Sequence, residues 1–174
     1  SKNLPVEELR SWEIGGHRAI DLLIHQPHEK EFTHFGDPVA AANQLVQDLC
    51  FTDYLIFTHT DVFPKRIDLV EVLIGKLCGA DVAGYRMSPR DHCQGFLGKT
   101  WRWMLGHSLL AMNMNALKGT RISWARSVAE KEFGISNTSH PDNWDSEVTM
   151  NLCLRRSGIK RKIVGNELNF QKFE

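Results

Sequence analysis

Near the middle of a 174-residue chain stands YLIFTHTDVFP, residues 54–64, in which an apolar run passes into His59, Thr60 and Asp61 ahead of a proline. The run reads as a buried strand, and in an open α/β sheet the carboxyl ends of strands line the ligand crevice. A carboxylate at that place can hold a metal or a polar substrate at no cost to the core. The same Asp and Pro also suit a plain turn, and the stretch alone leaves both readings open. Farther on, NWDSEVTMNLCLRRSG puts Asp145 and Glu147 where a helix starts. Acidic residues there complement the positive end of the helix, and that alone can account for them. His92 and Cys93 in RDHCQG have no partners at a spacing that suits a metal or a nucleophile, so they read as a loop pair.

The elements that must position these residues follow an α/β rhythm of short apolar runs and helical stretches. DPVAAANQLVQDLC (37–50) has a candidate N-cap in Asp37, Pro38 at the first helical position and Val39, Ala42, Leu45, Val46 and Leu49 at helical spacing. Strands are expected at 19–25, 53–59, 80–86, 107–113 and 159–165, and helices at 5–12, 66–78, around 125–133 and at 144–157. Strand, helix and strand over 53–86 imply a right-handed parallel crossover, with both strand ends on one side of the sheet. The segment 87–107 reads as a long loop with some helix. The last eight residues carry no assignable pattern.

Length favours one domain spanning 1–174. Lys plus Arg equals Asp plus Glu at 21 each, so the totals offer no basic footprint for nucleic acid. No apolar run approaches the roughly 20 residues that span a bilayer, so no transmembrane segment is expected. Cys50, Cys78, Cys93 and Cys153 form no CxxC pair, which suits reduced thiols and a cytoplasmic compartment better than a disulfide framework or a zinc cluster.

The order of these features resembles the GT-A glycosyltransferases, and within them the inverting group often called family 2. The resemblance covers roughly residues 35–160. HFGDPVAAANQLVQDLCFTDYLIFTHTDVFP looks like the family's stretch of Gly, small residues, an Asn, a helix, a strand and an acidic DxD motif. ADVAGYR resembles the strand after the DxD helix, and HSLLAMNMNALKG the segment that builds the acceptor floor. DSEVTMNLCLRRSGIK is similar to the pattern E-D-x-D-L-x-x-R-L-x-x-x-G, with Glu147 at the catalytic carboxylate. The resemblance implies a GT-A-like, Rossmann-like α/β fold with a mostly parallel central sheet flanked by helices. Only about 35 residues precede the Gly-Ala-Asn region, so part of the donor-binding front is expected to be missing from this chain.

By the same resemblance the activity is transfer of a sugar from a nucleotide-diphosphate donor to an acceptor hydroxyl, with inversion. Asp61 matches the second Asp of DxD, which touches a divalent cation, Mn²⁺ or Mg²⁺, that neutralises the leaving diphosphate. His59 replaces the first Asp; an imidazole suits Mn²⁺ better than Mg²⁺, which leaves metal dependence open. Asn43 falls on the donor side, and a UDP-sugar is the first donor to consider. Glu147 becomes the general base, with Asp145 beside it. Trp144 is the expected sugar contact of a glycan or other hydroxyl-bearing acceptor, since an aromatic face matches the C–H side of a pyranose. Trp101 and Trp103 could do the same or fill the core, and Arg86, Arg90, Lys99 and Arg102 could clamp a diphosphate or merely be solvated. The alternative is a degenerate GT-A-like domain that binds nucleotide or glycan without turnover. A nucleotidyltransferase fits less well, because its Gly-rich phosphate loop is missing.

Overall fold

The structure, a computed structural model, describes residues 13–14, 17–18, 37–58, 62–64, 67–87, 103–135, 144–164 and 170–172. The chain divides into two units, Ser1–Glu31 and Phe32–Glu174, where the sequence suggests one domain. In the first, β1 (Glu13–Ile14) pairs antiparallel with β2 (His17–Arg18). The helix expected at 5–12 and the strand expected at 19–25 lie outside the described residues.

The second unit opens with α1 (Asp37–Leu49), followed by β3 (Tyr54–Thr58), β4 (Val62–Pro64), α2 (Leu69–Lys76) and β5 (Val82–Arg86). Then come β6 (Leu105–Asn113), α3 (Met114–Leu117), α4 (Arg126–Phe133), α5 (Ser146–Arg156), β7 (Arg161–Ile163) and β8 (Phe170–Lys172). Each helix and strand expected within the described residues is present, with ends moved by a few residues as fraying and capping allow. α4 stops where Gly134 takes φ 66°, a left-handed cap that lets its N–H reach the Ala129 carbonyl. Asn113 caps α3 by accepting from Asn115 N and Ala116 N. The unassigned tail contributes β8, which pairs antiparallel with β4. No helix among the described residues is long and apolar enough to cross a membrane.

The main sheet is mixed, in the order β3-β6-β5-β7. β3 and β5 are both antiparallel to β6, and β7 is parallel to β5, so β3, β5 and β7 run the same way. The crossover expectation is met in direction, but β6 lies between the two strands that α2 connects. The reason is local: the chain leaves β5 at Arg86 and begins β6 at Leu105, its partner, so β6 must run back along β5.

β6 is buried along nearly its whole length, and two apolar clusters cover its faces. Leu110 and Met112 join Phe57, Trp124, Val148 and Met150 in the larger cluster, whereas Leu109 and Ala111 meet Leu73 and Leu77 of α2. Between the pairs Gly84–Leu110 and Arg86–Leu105, one residue of β5 faces four of β6, residues 106–109. This bulge shifts the alternation, so Leu105 packs into the same cluster as Leu110. Gly84 is required at its edge, since a Cβ there would lie 2.9 Å from the Leu109 carbonyl oxygen.

Candidate functional site

Glu147 stands in the first turn of α5, is only 6% exposed, and pairs through Oε1 with Nδ1 of His107. Ser146 Oγ donates to its other oxygen at 3.3 Å. Burial pushes this carboxyl up. The hydrogen bond from His107, a hydrogen bond with Asp145 and the nearby imidazole charge outweigh burial and bring it down from the usual 4.5 to about 2. Glu147 is therefore an ionised carboxylate held inside the protein. Asp145 is the N-cap of α5, its Oδ1 accepting from Ser146 N at 2.8 Å.

His107 lies within the β6 bulge, which turns its side chain to the α5 face. In an unbroken strand it would share a face with Leu109 and Ala111 and point toward α2. A second device holds the helix at the right height. Asn151, one turn beyond Glu147 on the same helix face, accepts from Leu105 N at 2.8 Å and donates through Nδ2 to Leu105 O at 2.7 Å and to Glu147 O at 2.8 Å. The side-chain amide thus satisfies both backbone groups of Leu105, two positions before His107.

Trp124 closes another side, its ring edge-on to His107 with centroids 6.1 Å apart. α1 fixes that indole: Gln47 Oε1 accepts from Trp124 Nε1 at 2.8 Å and Gln44 Oε1 from Trp124 N at 3.1 Å. A two-pronged pair from Arg126 to Asp37, at 3.1 and 3.3 Å, ties α4 to the start of α1.

Asp145 and Glu147 lie together at the start of α5. Asn43 is buried on α1, and its Nδ2 has no hydrogen-bond partner among the described residues. Trp144 departs from its expected role as a sugar contact. It is 1% exposed and donates from Nε1 to Thr149 Oγ1 at 3.0 Å, so its ring belongs to the core and offers no open face. His59 and Asp61 lie outside the described residues, as do Trp101, Arg90, His92, Cys93, Lys99 and Arg102. Among the described residues no group of three His, Cys, Asp or Glu could hold a metal ion, so the fit of Mn²⁺ or Mg²⁺ rests on His59 and Asp61.

His107 and Asn151 carry the geometry yet were not singled out from sequence. The signals are faint: a histidine at the polar start of the apolar run HSLLAM, and an amide four residues after an acid on one helix. Compared with protein-family models, with curated proteins and with solved structures, the chain matches none.

Proposed function

We propose that the chain is a glycosyltransferase domain of GT-A-like fold that moves a sugar from a nucleotide-diphosphate donor to an acceptor hydroxyl with inversion. The observation that carries this reading is the ionised Glu147 paired with His107 beside the carboxyl ends of β3 and β5. The Asp61 segment continues from Thr58, whose partner Leu109 is two residues from His107. In an α/β sheet that edge is where ligands bind.

Inverting transfer needs a group that takes the acceptor's proton as its oxygen attacks the anomeric carbon. A carboxyl near 2 is a weak base by itself. Paired with His107, Glu147 stays ionised, so a carboxylate lone pair is present to accept the acceptor's proton. We therefore assign proton acceptance to Glu147 acting with His107, and the helix-start position to Asp145. A divalent cation at Asp61 and His59 would supply Lewis-acid neutralisation of the departing diphosphate. Asn43, a buried amide with a spare donor, is the residue of α1 available to a donor-side oxygen.

One observation favours a second reading. Glu147 is so deeply placed that a domain binding nucleotide or glycan without turnover would look the same. Thermal unfolding with UDP, GDP, dTDP and their sugars, each with and without Mn²⁺, tests what the two readings share, since a ligand of the native state raises the melting temperature. Both predict a rise with at least one nucleotide. No rise with any would count against both, and product formation from a sugar nucleotide separates them.

A further inference from the structure

The far end of α5 carries a second feature, unrelated to the carboxylate. Glu147 and Arg155 are separated by eight residues, about 12 Å along a helix. There Trp103, just before β6, lies under two guanidinium groups, with Arg161 Cζ 4.4 Å and Arg155 Cζ 5.2 Å from its ring centroid. These three residues and Lys160 line a cavity of about 470 Å³, together with Gly79 and Gly158. Among the described residues no acidic side chain lines it. Among the described residues no carboxylate pairs with Arg155, Lys160 or Arg161. Asp81 uses Oδ2 to accept from the Lys160 backbone N–H at 2.9 Å.

Arg161 is half-buried, and its Nη1 is buried with no hydrogen-bond partner among the described residues. Burial, and then the Arg155 charge, push its guanidinium below the usual range. In a chain of zero formal net charge, three cations thus converge on one cavity with no acidic residue in its lining among the described residues. Packing against Trp103 holds two of them in place, so little side-chain freedom is left to lose on binding.

We propose that this cavity binds a small molecule through a phosphate or diphosphate group, with Arg155 and Lys160 contacting the phosphate oxygens and Arg161 supplying charge from its place over the Trp103 ring. Guanidinium forks match phosphate oxygens. The cavity is in the size range of small-ligand sites and leaves room for more than the phosphate itself. The site is independent of the sugar-transfer reading, being built from the other end of α5 and from β7.

Isothermal titration of the whole chain with inorganic pyrophosphate, in low-salt buffer containing EDTA, tests it. EDTA removes any route through a divalent cation at Asp61. The expected result is saturable one-site binding that Arg155→Glu weakens at least tenfold, while Lys118→Glu, at an exposed position outside the cavity, leaves it unchanged. Arg155 is exposed, so the variant is expected to keep the wild-type melting temperature. Absence of saturation, or equal weakening by both variants, would overturn the proposal. So would citrate binding as tightly as pyrophosphate, which would make the site one for carboxylates. Sedimentation with phosphatidic acid vesicles separates the sources: capture of the chain by vesicles through Arg155, without pyrophosphate binding, would also overturn a small-molecule site.

Discussion

His107 and Leu109 are two positions apart in one strand yet serve opposite faces of the sheet, His107 toward Glu147 and Leu109 toward Leu73 and Leu77. The bulge between them makes this possible, and it depends on Gly84, where a Cβ would meet the Leu109 carbonyl at 2.9 Å. Gly84→Ala should therefore force β5 and β6 apart and cost about 1–3 kcal/mol. Urea unfolding checks the stability, and histidine NMR shifts report whether the His107 environment changes with it. An unchanged midpoint with an unchanged His107 signal would show that the bulge does not need the glycine.

Breaking the buried pair on one side should be more harmful than removing both members. Glu147→Leu or His107→Phe alone leaves a polar or charged partner inside the protein, a loss of about 3–5 kcal/mol. The double variant should recover part of this, so that the two losses are strongly non-additive. Additive losses in denaturant unfolding would mean that the two side chains do not depend on each other.

Much of the scaffold was legible in the sequence, and the physical reason is periodicity. The buried runs of β5 and β6 follow patterns that a core imposes, whereas the face of α1 does not match its apolar spacing: Val39, Val46 and Leu49 are exposed, and Ala40 and Asn43 are the buried residues. The acidic start of α5 was legible as well, because Asp145 caps the helix by a short-range rule. What could not be read was the partner of Glu147. His107 reaches it only through a three-residue register shift, which leaves no mark on composition or spacing. Trp144 was misplaced for a related reason: beside two acids it looked like a surface aromatic, but Thr149 accepts its N–H and so permits full burial. The mixed character of the sheet was likewise hidden, since β6 joins through long-range pairing.

Acid should act through Glu147. Its folded pKa lies below the ordinary 4.5, so its contribution to stability is complete above about 4.5 and is lost as pH falls toward about 2. Unfolding free energy measured across that window should fall for the wild type, and the fall should be smaller in Glu147→Gln. Equal pH slopes for the two proteins would show that this carboxyl does not titrate with folding.

Asn151 should behave as a positioning residue. Asn151→Ala leaves both backbone groups of Leu105 without their side-chain partner, at a loss of about 2 kcal/mol or more. Asn151→Gln, with the amide moved one methylene outward, should not rescue it. Hydrogen exchange at the Leu105 amide provides the specific readout: acceleration there in Asn151→Ala is expected, and unchanged protection would rule out the clamp.

The central claim is that Glu147, with His107, takes the acceptor's proton during sugar transfer. The most direct measurement is turnover of the sugar nucleotide that raises the melting temperature most, with Mn²⁺ present, for wild type and Glu147→Gln side by side, alongside donor affinity by titration. The account predicts transfer by the wild type and a drop of roughly 10²-fold or more in kcat for Glu147→Gln with donor affinity nearly unchanged. A folded Glu147→Gln protein that turns over at the wild-type rate would contradict it.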